Sequence, residues 1–481
     1  MKKNIILSFV ILTLILGFGL TPIVNERIIV KSLENSILNL PSIGRFTGDL
    51  NDDNPWTPED EGDHFPTGWE YWWNYIMLTL DDGSHWDIAV MFLYQMNWTG
   101  RQWSETDGFA FIRIQSWDRE TGKYFDCLHV EYHPGVLQHK KNIVDLKFYN
   151  STMKGLYPNY SVHAEDDIND IELTVDLHAL ALPHWIAQDA LNGELPVGTG
   201  SFHYGSIPLV SITGNLSING TKSNVTGVGY YERAFGNAHL TDSYIRFTSF
   251  KELREVRRLY SNIAKWLLKE IIANGLKKTY SLHRSTDNLL GYDWVWIAFD
   301  NGWSMILCRI LVFGKVDGLS PCILMLNDGK EYWEFGDVYV RVNRDIYLEE
   351  SDIFLPLDLE ITGFKGDKQI HIVFNSTTNM TKMYINIGIP QGNFLVAGEA
   401  TGFLKDGEKT IALNGNGTNT PLRVIPKIIK HRSLKIDLLL PPNGLGISVR
   451  KVSHRLGFER FFKFQLRPFE FIFYIKPVND I

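Results

Sequence analysis

Cysteine is scarce in this chain. Only Cys127, Cys308 and Cys322 occur in 481 residues. An odd, low count excludes a disulfide framework. Cys308 and Cys322 either pair across neighbouring strands or stand as small buried hydrophobes. Basic clusters are scarce too. The formal net charge is -8, and the only modest Lys/Arg run lies between Lys427 and Lys435. That argues against a nucleic-acid partner, which calls for a basic patch. There is no phosphate-cradling Walker sequence, dinucleotide fingerprint, G-x-S-x-G elbow or H-E-x-x-H helix. The chemistries those motifs carry are therefore not indicated.

Long apolar runs are missing after the first twenty or so residues. Lys2 and Lys3 precede an apolar stretch from Asn4 to Leu20, which reads as a secretory signal or an N-terminal anchor over residues 1–24. Asn-x-Ser/Thr sequons at Asn97, Asn150, Asn159, Asn215, Asn219, Asn224, Asn375, Asn379 and Asn416 agree with export and glycosylation. The expected location is extracellular or cell-surface, with membrane association through the N-terminal segment if it is retained.

What is present in abundance is aromatic. Aromatic residues make up 13% of the chain, including 14 Trp. They suit strands and the walls of apolar cavities. Residues 25–63 are rich in Asp, Pro and Asn and read as a linker. A β-rich region follows over 64–249. "EYWWNYIMLTL" and "HWDIAVMFLYQ" flank the hairpin dipeptide Asp82-Gly83. Strand-length runs then recur about a dozen residues apart, the pattern of a barrel or sandwich. From Phe250 to Lys278 apolar residues recur at helical spacing, with Gly275 as a stop and Arg254, Arg257, Arg258, Lys265 and Lys269 on the charged face. This amphipathic connector, over 250–285, packs on a barrel or lies on a membrane surface. Strand patterns resume over 286–481. "YDWVWIAFDNGWSMILCRILVF" repeats the scheme of the first hairpin, so two related β-domains are expected.

Two short stretches offer chemistry. In "HVEYH", His129, Glu131 and His133 share one strand face; they are metal-ligand types or a solvated polar face. In "GYYERAFG", period two places Tyr230, Glu232 and Ala234 on one face and Tyr231, Arg233 and Phe235 on the other. An inward Glu232 beside Tyr230 would be a desolvated proton donor. The alternative is a buried ion pair closing the end of a barrel. By the same alternation Trp72 goes with Glu70 and Asn74, and Trp73 with Tyr71 and Tyr75. Trp294 and Trp296 go with Tyr292, opposite Asp293.

The ordered set "EYWWNYIMLTLDDG", "DIELTVDLHALALP", "GSFHYGSIPLVSITGNLSINGTKSNVTGVGYYERAFG" and "GYDWVWIAFDNGWSMILCRI" resembles the AttH-like, carotenoid hydratase (hydroxyneurosporene synthase) family. The resemblance covers about residues 64 to 315 well and the rest weakly. It implies an all-β chain of two lipocalin-like antiparallel β-barrels with a helical insertion between them. It implies a long apolar ligand, isoprenoid or lipid-like, and no metal or nucleotide cofactor. The motif acid falls at Glu232, where Asp is usual, and the following His at Arg233. Gly236 is kept. Glu70, Trp72, Trp73, Trp294 and Trp296 match the flanking motifs.

An enzyme reading follows: a hydro-lyase (alkene hydratase-like) or an isomerase or cyclase. Glu232 is then the acid, with Tyr230, Trp72, Trp294 and Trp296 as wall and Asp293 as reserve acid. Glu70, Trp73 and Arg233 complete the expected ligand contacts. The alternatives are a non-catalytic lipid carrier and a structural surface protein with filled barrels. The oligomeric state is left open.

Overall fold

The computed structural model describes residues 56–98, 103–197, 200–236, 244–245, 250–274, 290–312, 322–349, 353–377, 381–387, 389–424, 432–439, 446–453, 461–466 and 469–474. The N-terminal apolar segment and most of the expected linker lie outside them, as does the sequon at Asn379.

The fold is all-β, built as two lipocalin-like antiparallel barrels. In the first sheet the chain runs outward from Trp69–Leu80 through His85–Trp98 and Trp103–Asp118 to Tyr124–Glu131. It returns through Val144–Phe148, Ser151–Leu156, Asn159–Asp166, Ile171–Ala179 and Gly200–Ile218 to Thr221–Gly236, which pairs with Trp69–Leu80. The second sheet repeats the plan. Leu290–Phe299 pairs with Ser304–Val312 on one side and with Lys409–Asn419 on the other. In each unit the first strand lies beside the long strand that ends the return.

Local sequence explains the strands. "IELTVDLHA" alternates strictly, so Ile171, Leu173, Val175, Leu177 and Ala179 are buried while the residues between them are exposed. Gly83 and Gly302 close the two matching hairpins at φ of 85° and 83°, backbone that favours glycine. Trp69–Leu80 and Leu290–Phe299 differ in being buried on both faces. One face of each fills its own barrel, and the other packs on the opposite barrel in a shared aromatic layer. Consecutive tryptophans at Trp72 and Trp73 follow from that double burial.

The helix predicted from Phe250 forms over Phe250–Asn274. Leu259 and Trp266 bury against Ala190 and Leu191. Arg254, Arg257, Arg258 and Lys269 face outward. Packing on a barrel is thus the use made of its apolar side. Among the described residues no helix is long and apolar enough to cross a membrane.

Two features differ from expectation. The acidic stretch read as linker folds onto the first barrel from Trp56 onward. Glu61 and Asp63 are buried there, and the Tyr157 backbone N–H and the Trp56 indole both donate to Glu61 at 2.9 Å. Gly205 makes room for it, since a Cβ there would meet the Trp56 and Trp185 rings at 2.3 and 2.8 Å. The strands after Leu422–Val424 do not extend the second sheet. Arg432–Leu439, Gly446–Ser453, Phe461–Leu466 and Phe469–Tyr474 form a separate sheet with Tyr244–Ile245.

Candidate active site between the barrels

Trp69–Leu80 and Thr221–Gly236 pair so that Trp72 lies opposite Arg233 and Trp73 opposite Glu232. Opposed residues in an antiparallel pair share a face. Glu232 therefore belongs with Trp73, and Arg233 with Trp72, on two different faces.

The Arg233 face closes the first barrel. The guanidinium is fully buried and pairs with the equally buried Glu70 carboxylate. It also donates to the carbonyls of Tyr71 and Ala234, each at 3.1 Å, and of Gly62 at 2.5 Å. Its Cζ sits 4.0 Å from the Trp72 ring centroid. Glu70 accepts further hydrogen bonds from the His64 backbone N–H and the Tyr94 hydroxyl, and the His64 ring pairs with it at 2.8 Å. Burial alone would raise the Glu70 pKa. Arg233, with His64 and Tyr94, holds it down at about 2. Glu70, Trp72 and Arg233, expected as ligand contacts, are thus spent on one another.

The second barrel repeats this closure. Buried Arg423 donates to the carbonyls of Tyr292 at 2.7 Å and Leu422 at 3.0 Å, and to Asp293 at 2.5 Å. Arg309 pairs with the same carboxylate. Burial works against ionisation of Asp293, but the two arginines lower its pKa below the usual value. It lies opposite Trp294 in the strand's alternation, on the barrel side, and is held as an anion. The reserve acid is therefore turned away from Glu232.

The Glu232 face opens on the layer between the barrels. Tyr75, Tyr230, Ala234 and Tyr204 from the first barrel meet Trp294, Trp296 and Leu395 from the second. Tyr230 and Trp296 lie 4.8 Å apart between ring centroids, and Tyr204 and Trp294 lie 5.3 Å apart. A break in register between Ile207 and Val210 leaves the Pro208 carbonyl off the ladder, and the Trp296 indole donates to it at 2.8 Å. Burial pushes the Glu232 carboxyl up to about 8, against the smaller opposing pull of Tyr204, Trp294, Tyr71 and Tyr230. By distance and angle Glu232 Oε1 and Trp294 Nε1 complete no hydrogen bond, although the Trp294 indole and the Tyr204, Tyr71 and Tyr230 side chains lie near enough to act on the carboxyl; the Trp69 and Trp73 indoles in the same layer are also buried without a partner. At neutral pH this is a protonated acid walled by aromatic rings.

Of the residues read from sequence, Glu232, Tyr230, Trp73, Trp294 and Trp296 meet in this layer, and Glu70, Trp72, Arg233 and Asp293 do not. Sequence reasoning missed Tyr71 and Tyr204 as neighbours of the acid. Alternation with Trp73 could have found Tyr71, whereas Tyr204 needed the strand register. Elsewhere, His129 and Glu131 contact each other at 3.2 Å, and His133 instead accepts from Gly135 N–H at 3.1 Å. All three cysteines are free; Cys322 lies opposite Arg309, which puts Cys308 and Cys322 on opposite faces. A groove of about 470 Å³ on the first barrel, lined by Lys154, Asp176, His178 and Ser211 among others, is open and partly polar, and Glu232 is not among its walls.

No family model matches this sequence, and no curated protein matches it. Solved structures do share its architecture. An AttH candidate from Nitrosomonas europaea is 14% identical, with a TM-score of 0.53, over 78% of this chain and 98% of that one. Kievitone hydratase from Nectria haematococca is 12% identical, with a TM-score of 0.50, over 80% of this chain and 97% of that one. The chain therefore has the AttH-like fold, a tandem of lipocalin-like antiparallel barrels that meet across an aromatic layer.

Proposed function

We propose that the interbarrel layer binds a long apolar molecule carrying an alkene, and that Glu232 protonates it. The observation that carries this reading is a sealed carboxyl, ringed by aromatic side chains of both barrels, with one oxygen unpartnered. Its raised pKa keeps the proton in place at neutral pH. The shared fold with a structure named kievitone hydratase is in keeping with the idea.

The step balances simply. The alkene π pair takes the proton from Glu232, forming a C–H bond, and the O–H pair stays on the carboxylate. The cation left on the neighbouring carbon faces Tyr230, Trp294 and Trp296, whose ring faces are electron-rich. Water adds through an oxygen lone pair and returns a proton to Glu232, completing hydration. If the cation instead loses a neighbouring proton to Glu232, the product is an isomer.

Solvent extraction of the purified protein followed by mass spectrometry tests the ligand class. Incubation of wild type and Glu232→Gln with the recovered alkene in ¹⁸O-water tests the chemistry. We expect label in the wild-type alcohol and at least a hundredfold less, roughly, in the variant. Equal turnover by the variant refutes the acid assignment. One observation favours a carrier without chemistry: the groups acting most strongly on Glu232 are Tyr204, Trp294, Tyr71 and Tyr230, none of them a carboxylate that would activate water. A bound isoprenoid or lipid that returns unchanged selects that reading.

Export remains part of the proposal. It is supported by Lys2, Lys3 and the apolar run after them, and by the exposed sequons at Asn150, Asn159, Asn219, Asn224, Asn375 and Asn416. A mass decrease on enzymatic deglycosylation of protein from its natural source checks it.

A further inference from the structure

A second buried acid sits at another polar contact between the barrels. Glu334, on the strand Tyr332–Phe335, is fully buried. Its Oε2 accepts from the Tyr332 hydroxyl at 2.5 Å and from the Asp189 backbone N–H at 3.3 Å. Asp189 comes from the first half of the chain, in the short helix Gln188–Leu191. Its carboxylate pairs with Lys365 of the second barrel at 2.8 Å. The Gln188 backbone N–H reaches the Tyr332 hydroxyl, and the Gln188 side-chain oxygen accepts from Trp185 N–H at 3.4 Å. Glu334 and Gln188 thus meet at Tyr332 from opposite barrels. The neutral His184 ring lies 4.6 Å from the Tyr332 ring.

Two atoms here are buried without a partner, Glu334 Oε1 and Gln188 Nε2. Burial and then the Asp189 charge push the Glu334 carboxyl up to about 8, so it carries its proton at neutral pH. Oε2 already accepts two hydrogen bonds, which leaves the proton on Oε1. Gln188 Nε2 is a donor by its chemistry, and Glu334 Oε1 becomes one when the carboxyl holds its proton. Two donors with no acceptor select an oxygen lone pair. A carboxylate or phosphate would be buried beside the Asp189 charge, whose effect at Glu334 exceeds that of its partner Lys365, and a cation would meet the donors. A neutral oxygen fits both. Tyr332 packs against the same apolar layer as Tyr230, Trp294 and Trp296, so this cluster borders the layer in which the ligand is proposed to bind.

We propose that Glu334 and Gln188 form a polar subsite at the edge of the interbarrel layer, which takes one neutral oxygen, a hydroxyl or carbonyl, of an otherwise apolar ligand. The inference rests on the ligand-binding reading above and narrows its ligand class to oxygenated apolar molecules.

Farnesol and the hydrocarbon farnesene serve as probes, with affinity read by quenching of tryptophan fluorescence. We expect wild type to bind farnesol about tenfold more tightly than farnesene. Gln188→Met should shrink that ratio to within about twofold, by the same relation. Glu334→Met offers a second route to the same loss if Gln188→Met fails to fold. Glu334→Gln, whose amide still donates, should keep the preference. Equal affinities in wild type, or an unchanged ratio in both methionine variants, overturn the subsite and assign its donors to water. If neither probe binds wild type, the subsite falls together with the ligand-binding reading; equal binding of the two removes the subsite alone.

Discussion

Glu232 and Arg233 are consecutive, yet their side chains end in different layers of the protein. Glu232 lies opposite Trp73 and faces the second barrel, while Arg233 lies opposite Trp72 and closes the first. A histidine in place of Arg233 would also point into the first barrel. The Arg233 position, where the motif it resembles carries His, therefore belongs to the closure of the first barrel and lies outside the Glu232 wall.

Breaking that closure should be costly. Arg233→Met strands the Glu70 carboxylate in the interior, and a loss of about 3–5 kcal/mol in unfolding free energy is expected from urea titration. Replacing both partners, with Glu70→Leu added, should recover a large share. A double variant as unstable as the sum of the two single variants would deny the coupling.

The pH dependence of stability carries a sign. Glu232 has its pKa raised from about 4.5 unfolded to about 8 folded. The folded state therefore holds the extra proton between those values, and stability falls as pH rises from about 4.5 to 8. The slope is roughly 1 kcal/mol per pH unit for such a group. Glu232→Gln should flatten the decline in thermal unfolding relative to wild type. Glu70, held near 2, acts in the opposite direction: its contribution is present above about 4.5 and is lost as pH falls towards 2.

Asp293 separates stability from chemistry. Asp293→Asn leaves two arginines without their anion and should cost about 3 kcal/mol or more. Because the side chain faces the second barrel, turnover per folded molecule should be unchanged. A fall in that specific rate would place Asp293 in the reaction after all.

Gly205→Ala should loosen the segment that begins at Trp56. The added methyl meets the Trp56 and Trp185 rings. A loss of about 1–3 kcal/mol is expected, with earlier proteolysis near the N-terminal end of the described fold. Unchanged stability would mean that the two rings shift freely.

Much of the architecture was legible in the residues. Alternation in "IELTVDLHA", the glycine turns after Asp82 and Asn301, and the helical spacing after Phe250 are local signals, and the local backbone obeys them. The repeat of an aromatic strand, a turn and an apolar strand announced two related barrels. Alternation also placed Glu232 and Arg233 on different faces. It could not say which face looked at which neighbour, because both faces of that strand are buried and residue type no longer separates inside from outside. Only tertiary packing set Trp72 on Arg233, turned Asp293 towards Arg423, and brought Tyr204 and Trp294 from distant strands around one carboxyl. That environment raises the Glu232 pKa, since desolvation depends on everything packed within a few ångströms of the group and not on its neighbours along the chain.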